Sequence, residues 1–132
     1  MEVIILLDHD LEGQVAFLKS ALRETGWDRD VHIQFKRLRD FDLPDDCADR
    51  EIWRRIQVER ILLITNNRNR EDETSLQATV DRENTPDSLP ILTISDQTRL
   101  RLPVYRQQVV ERLVAIILDV DKYLGTGRLY LP

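Results

Sequence analysis

The chain is poor in cross-linking residues and in long hydrophobic segments. Its 132 residues include one cysteine, Cys47, and only three lysines. A single cysteine excludes an intrachain disulfide and a cysteine-based zinc cluster. No apolar run approaches the roughly 20 residues that a membrane-spanning helix needs. The opening MEVIILLDHD also lacks the basic start and small-residue cleavage site of a secretion signal. These absences predict a cytoplasmic protein that does not enter a membrane.

The overall composition is that of an ordinary globular domain. Hydrophobic residues make up 42% of the chain and charged residues 33%, with 24 acidic against 19 basic residues and a formal net charge of −5. This balance excludes intrinsic disorder and disfavours a protein that coats nucleic acid through its overall field. The length suits one hydrophobic core, and no linker or repeat divides the chain. We therefore expect a single domain over residues 1–132.

The hydrophobic pattern alternates between strand and helix signals. Buried strands are predicted at Val3–Leu7, at Ile61–Ile64 and at Pro90–Ile94, and a half-buried strand at Val31–Phe35. Between them, apolar residues at helical spacing predict helices at 11–25, from Asp46 or Asp49 to Gln57, and from Val109 to Leu124, with one short helix around Leu76 and Val80. The tail RLYLP is expected to add an edge strand or to pack on a partner. This alternation predicts a three-layer α/β/α sandwich with a mostly parallel central sheet.

Acidic and amide side chains follow the predicted strands. Asp8 and Asp10 come after the first strand, Asn66 and Asn67 after the third, and Asp96 after the fourth. In open α/β sheets, ligands bind beyond the carboxyl ends of the strands. Carboxylates gathered there repel one another unless a cation lies among them, and Mg²⁺ or Mn²⁺ suits such oxygen ligands. The sequence therefore favours a divalent-metal site at this edge.

Three segments together carry a resemblance to a known family. LLDHDL, then LRDFDLPDDCADREI, then RILLITNNRN resemble, in order and spacing, the motifs of the small bacterial branch of PIN-like nuclease domains, which are of the LLDENL, DEEI and LLTRDRDF types. The match covers about the first seventy residues. It implies a PIN-like fold and a Mg²⁺- or Mn²⁺-dependent ribonuclease that cleaves RNA, often as the toxin paired with an antitoxin protein.

The resemblance also implies roles for particular residues. Asp8 corresponds to the first metal ligand, and Asp49 or Glu51 to the second acidic contribution; Asp96 is expected to supply a further carboxylate. The third motif departs from the family, because Asn67 and Asn69 replace two aspartates. The Asn67 amide oxygen remains a possible ligand but brings no charge to hold the ion. The expected activity is therefore a weakened one.

Other functions compete for the same residues. A catalytically silent PIN-like domain that binds RNA or a protein would also explain the lost aspartates. A receiver domain of bacterial signalling shares the acidic pair Asp8 and Asp10, but it needs a phosphoacceptor aspartate after the third strand and a lysine after the fifth. A dehalogenase-like phosphatase needs a threonine-rich turn where this chain has Leu11-Glu12-Gly13.

Several of these residues also have simple structural interpretations. The acids at 8, 10, 46 and 49 suit helix N-termini, and His9 is interpreted as a solvated loop residue. Arg54, Arg55, Arg68 and Arg70 are interpreted as a solvated, mutually neutralised surface rather than a phosphate-binding rim. Tyr105, Tyr123 and Tyr130 are expected to help cover a homodimer interface.

Overall fold

The computed structural model describes residues 1–66 and 76–132 as a five-stranded sheet with helices on both faces. The strands are β1 Glu2–Leu7, β2 His32–Lys36, β3 Leu62–Asn66, β4 Ile91–Ile94 and β5 Arg128–Leu131, and the helices are α1 Val15–Thr25, α2 Asp49–Glu59, α3 Leu76–Glu83 and α4 Pro103–Leu118. Asn67 and Asn69, and with them Arg68 and Arg70, lie outside the described residues.

The sheet is parallel throughout, in the order β2-β1-β3-β4-β5. Consecutive side chains of a strand point to opposite faces, which explains why β1 is an uninterrupted apolar run. Ile5 and Leu7 pack against α1 and α4 on one face, whereas Leu6 packs against α2 and α3 on the other. The three-layer α/β/α sandwich is therefore confirmed, and its described sheet is entirely parallel.

Several predicted elements are confirmed. The short helix around Leu76 and Val80 is α3, and the RLYLP tail forms β5 along the outer edge of β4. The first helix ends where expected, because Gly26 adopts the left-handed conformation (φ 80°) and its N–H donates to the Arg23 carbonyl. None of the helices among the described residues is long and apolar enough to cross a membrane.

The start of the first helix, the cap of the second and both ends of the last differ from the predictions. The helix expected from Leu11 begins at Val15, after a 3-10 turn over His9–Gln14. The second helix is capped by Ala48 without a side-chain hydrogen bond, so neither Asp46 nor Asp49 is its cap. The last helix already begins at Pro103, whose fixed φ suits a first helical turn, and it ends at Leu118 before a separate 3-10 turn over Val120–Tyr123.

The order of the strands determines where a ligand site can form. From β1 the chain passes to β2 on one side and then returns to β3 on the other. The connection that follows β1 and the connection that follows β3 therefore run on opposite faces of the sheet, and a crevice opens between them at the carboxyl ends of these two strands. Asp8 follows β1 at this crevice, and its backbone N–H donates to the Ile64 carbonyl of β3 at 3.0 Å.

Candidate metal site

A small acidic cavity lies at the carboxyl end of β1. It has a volume of about 240 Å³. Its lining comprises Asp8, His9, Asp10, Asp45, Asp46, Cys47, Asp49 and Ile52. Five of these eight residues are aspartates, contributed by the end of β1 and by the segment that leads into α2. We call this space the acidic cavity.

Asp8 and Asp49 are the two buried acids of this cavity. Their exposed fractions are 5% and 6%. By strand alternation Asp8 follows Leu7 onto the face that carries α2, and Asp49 is the first residue of that helix. One oxygen of Asp8, Oδ1, accepts the His9 backbone N–H at 2.8 Å. The structure therefore brings together two of the acids that the sequence had singled out, from segments 41 residues apart.

The other two predicted acids lie elsewhere. Glu51 is exposed on α2 and does not line the acidic cavity. Its carboxylate accepts a hydrogen bond from the Cys47 thiol at 3.6 Å. Asp96 is exposed beyond β4 and caps the turn Gln97–Arg101. Its Oδ1 accepts hydrogen bonds from the Thr98 backbone N–H at 3.1 Å and from the Thr98 hydroxyl at 2.6 Å. These bonds lower the pKa of Asp96. Of the alternatives Asp49 and Glu51, Asp49 is the one placed beside Asp8.

Asn66 ends β3 and carries a buried amide oxygen. Its Oδ1 accepts no hydrogen bond from the described part of the chain. Asn66 is therefore an additional neutral oxygen donor at the carboxyl edge of the sheet. A signalling receiver needs an aspartate at the end of this strand, so the amide at this position disfavours that alternative. Asn67, the predicted amide ligand, lies outside the described residues.

The donor set of the acidic cavity fits a hard divalent cation. Mg²⁺ and Mn²⁺ prefer carboxylate and carbonyl oxygens, and the acidic cavity offers Asp8 and Asp49 from buried positions. Low solvent exposure strengthens the repulsion between like charges and also their attraction to a cation. The residues present therefore suit Mg²⁺ or Mn²⁺.

A second group of possible ligands at this cavity was missed by the sequence analysis. His9, Glu12 and Asp45 each direct one ligand atom into a region where all three atoms lie within 4.8 Å of one another. His9 Nδ1 is 2.6 Å from Glu12 Oε2 and 3.5 Å from Asp45 Oδ1. The Glu12 hydrogen bond, followed by the charge of Asp45, raises the pKa of His9.

The sequence contained part of the signal for this group. His9 and Glu12 are three residues apart and share one 3-10 turn, where residues i and i+3 lie above one another. The contribution of Asp45 had no such signal, because it depends on how the loop before α2 is folded. The interpretation of His9 as only a solvated loop residue left this cluster unnoticed.

Two arginines of the proposed neutralised surface have structural partners. Arg54 binds Glu83 through Nε at 2.8 Å and Nη2 at 2.9 Å, which joins α2 to α3. Arg55 donates to the Phe41 carbonyl at 3.0 Å. The Arg54 guanidinium therefore joins α2 to α3, and the Arg55 guanidinium joins α2 to the turn before it.

Comparisons of the chain with protein-family models, with curated proteins and with solved structures return no match.

Proposed function

We propose that this chain is a PIN-like, Mg²⁺- or Mn²⁺-dependent ribonuclease of weakened activity, with Asp8 and Asp49 as its metal ligands. The observation that carries the proposal is the position of these two buried carboxylates in one small cavity at the switch point of a parallel sheet. A bound ion supplies a polarised water molecule and charge stabilisation for phosphodiester cleavage. Glu51 and Asp96, the other two acids predicted for the site, lie outside the acidic cavity and are not assigned as ligands.

The chain's own residues would divide the work of binding and positioning. Asp8 and Asp49 hold the cation, and the His9 backbone N–H fixes one oxygen of Asp8. Asn66 presents an amide oxygen at the neighbouring strand end. Because amides replace carboxylates at this strand end, we expect metal affinity and turnover below those of a fully acidic site.

Two exposed arginines support RNA as the substrate. Arg99 and Arg101 lie just beyond β4, at the same edge of the sheet as the acidic cavity. Neither forms an ion pair with a carboxylate among the described residues, and the Arg99 guanidinium carbon lies over the Tyr105 ring, 4.5 Å from its centroid. A guanidinium that contacts an aromatic ring through its face keeps its N–H groups available for phosphate. Both arginines are therefore suited to contact the backbone of a single-stranded RNA.

An antitoxin partner, a homodimer and a cytoplasmic location complete the proposal. The set of tyrosines predicted to cover the dimer interface needs correction. Tyr105 is buried in the core and does not suit an interface, whereas Tyr123 is half-buried against that core. Tyr130 on β5 is 54% exposed and is the most exposed of the three tyrosines.

The experiment that tests the proposal is calorimetric titration of Mn²⁺ into the wild type, Asp8→Asn and Asp49→Asn, followed by cleavage of an end-labelled single-stranded RNA. Asp28→Asn is the matched control, because Asp28 is exposed in the turn before β2, at the opposite edge of the sheet. We expect saturable binding in the wild type and in Asp28→Asn, and its loss in the other two variants. EDTA should stop cleavage.

Two outcomes would overturn the proposal in different ways. Absence of binding at millimolar Mn²⁺ would refute the metal site and leave a PIN-shaped binding module. Binding that depends on Asp8 and Asp49 without any RNA cleavage would retain the metal site and refute the nuclease activity. Circular dichroism of each variant establishes that the fold is intact.

A further inference from the structure

The cluster of His9, Glu12 and Asp45 extends beyond the proposed nuclease site. It contains an imidazole, which neither Asp8 nor Asp49 provides. Imidazole suits Zn²⁺ and other transition metals, whereas Mg²⁺ and Ca²⁺ favour oxygen ligands alone. Two carboxylates with one imidazole make three ligands, which is the number that a zinc site with one open position uses.

The distances between the ligand atoms are close to what one ion needs. Ligand atoms held about 2.1 Å from a tetrahedral Zn²⁺ are separated from one another by about 3.4 Å. His9 Nδ1 and Asp45 Oδ1 are already 3.5 Å apart, and His9 Nδ1 and Glu12 Oε2 are 2.6 Å apart. Because all three atoms lie within 4.8 Å of one another, shifts of about 1 Å in the side chains would bring them to the separations that one tetrahedral ion sets.

The surroundings favour a cation over a simple ion pair. His9 and Asp45 line the acidic cavity together with Asp10 and Asp46, so the local charge is strongly negative. One positive group already acts on the cluster, because Arg39 Nη2 lies 3.6 Å from Glu12 Oε1. That guanidinium approaches Oε1 of Glu12, whereas Oε2 is the oxygen paired with His9. The Glu12 oxygen that belongs to the cluster is therefore not the one that Arg39 approaches.

We propose that His9, Glu12 and Asp45 form a binding site for a transition-metal dication, with Zn²⁺ as its preferred ion, at the mouth of the acidic cavity. This site is distinct from the Asp8–Asp49 pair and does not depend on the proposed nuclease function. The bound ion would join the turn His9–Gln14 to the loop before α2, the two segments that frame the acidic cavity. It would therefore order the entrance to that cavity.

The test uses the fact that the chain has only two histidines. The imidazole nitrogens are followed by long-range ¹H–¹⁵N NMR during titration with ZnCl₂, and calorimetry gives affinity and stoichiometry. His32, exposed on β2, is the internal control. We expect saturable binding of one Zn²⁺ that shifts the Nδ1 signal of His9 and leaves the ring of His32 unchanged.

Variants separate this site from the proposed nuclease site. His9→Gln and Asp45→Asn should lower Zn²⁺ affinity at least about tenfold, since loss of even an outer partner of a ligand typically costs that much. His32→Gln should bind Zn²⁺ as the wild type does. Asp8→Asn should retain the Zn²⁺-induced shift of His9 even where it abolishes Mn²⁺ binding.

Two results would overturn the proposed zinc site. One is an unchanged His9 spectrum at millimolar Zn²⁺, which would identify the cluster as a protonated histidine paired with two carboxylates. The other is undiminished Zn²⁺ binding in His9→Gln, which would assign the ion to the carboxylates alone. Failure of Mn²⁺ binding or of RNA cleavage affects neither result, so the two proposals are refuted by different observations.

Discussion

At the scale of single residues, two threonines form a polar contact inside the α2–α3 face of the sheet. Thr65 and Thr93 are buried on adjacent strands, with their hydroxyl oxygens 3.1 Å apart. Arg128 of β5 donates from Nη1 to the Thr93 hydroxyl at 2.7 Å, and from Nε to Gln77 at 2.8 Å. Thr93 therefore connects three strands through one oxygen atom.

We expect Thr93→Val to be more destabilising than Thr65→Val. The first substitution removes the acceptor for Arg128 and the partner of Thr65, whereas the second leaves the Arg128–Thr93 bond intact. A buried polar group that loses its partner costs about 1–3 kcal/mol, and valine preserves the side-chain shape. Urea unfolding followed by tryptophan fluorescence measures both variants. Equal losses, or the reverse order, would contradict the central role of Thr93.

At the scale of secondary-structure elements, three glycines predict a graded series of stabilities. Gly26 ends α1 at φ 80° with open space where an alanine methyl group would lie, whereas Gly125 has φ 82° and an added Cβ there would lie 3.0 Å from the Pro86 Cα. Gly13 has neither a positive φ nor a neighbour within 4 Å. We expect Gly13→Ala to be neutral or slightly stabilising and Gly26→Ala to cost about 1–2 kcal/mol. Gly125→Ala should cost more.

Thermal unfolding of the three alanine variants tests this order. Because Gly13→Ala makes the same chemical change without the backbone penalty, it is the matched control. A Gly26→Ala variant as stable as Gly13→Ala would show that the end of α1 relaxes to another conformation. A Gly125→Ala variant less affected than Gly26→Ala would show that Pro86 and its loop yield to the new methyl group.

The elements differ in how far the sequence predicts them. The end of α1 was predictable because an apolar stripe stops at Thr25-Gly26, and Gly26 does adopt the left-handed cap. The start of α2 at Asp49 was among the predicted positions, but its cap was not, because the aspartates nearby suit caps and yet Ala48 holds that position without a side-chain hydrogen bond. Asp8 and Asp49 were both identified from the sequence: Asp8 because it follows an apolar strand, and Asp49 through the resemblance of its segment to the PIN-like motif. Asp45 was not, since its position depends on a loop conformation that no local pattern encodes.

At the scale of the whole molecule, the last crossover has the opposite hand to the others. Both β3 to β4 and β4 to β5 step toward the same edge of the sheet, but the first passes through α3 on one face and the second through α4 on the other. Handedness rules place α4 beside α3. In this position the apolar side chains of α4 share one core with Leu92, Ile94 and Leu131 of β4 and β5.

The ionisable groups of the whole molecule predict that acid weakens the fold. Hydrogen bonds lower the pKa of Glu24 through Arg106, of Glu83 through Arg54 and of Asp40 through the Arg37 backbone N–H. A carboxyl group whose pKa is lower in the folded than in the unfolded chain stabilises the fold above its unfolded pKa. That contribution is lost as the pH falls through the folded pKa.

Thermal unfolding between about pH 2 and pH 6 measures this effect. The double variant Glu24→Gln/Glu83→Gln should melt below the wild type at the upper end of the range, and the difference should shrink toward the acid end. Glu2→Gln is the control, because Glu2 is exposed and forms no ion pair with another described residue. A difference that persists unchanged at the acid end would assign the effect to packing instead of charge.

The parallel sheet also determines how the chain reaches its fold. Each described strand pairs only with strands that run in the same direction, so no hairpin is available as an early local unit. Every pairing waits for a helix-containing connection to close, and proteins dominated by such distant contacts fold slowly. During that interval the apolar strands expose unpaired edges that associate between chains. Refolding of this protein should therefore yield most in dilute solution.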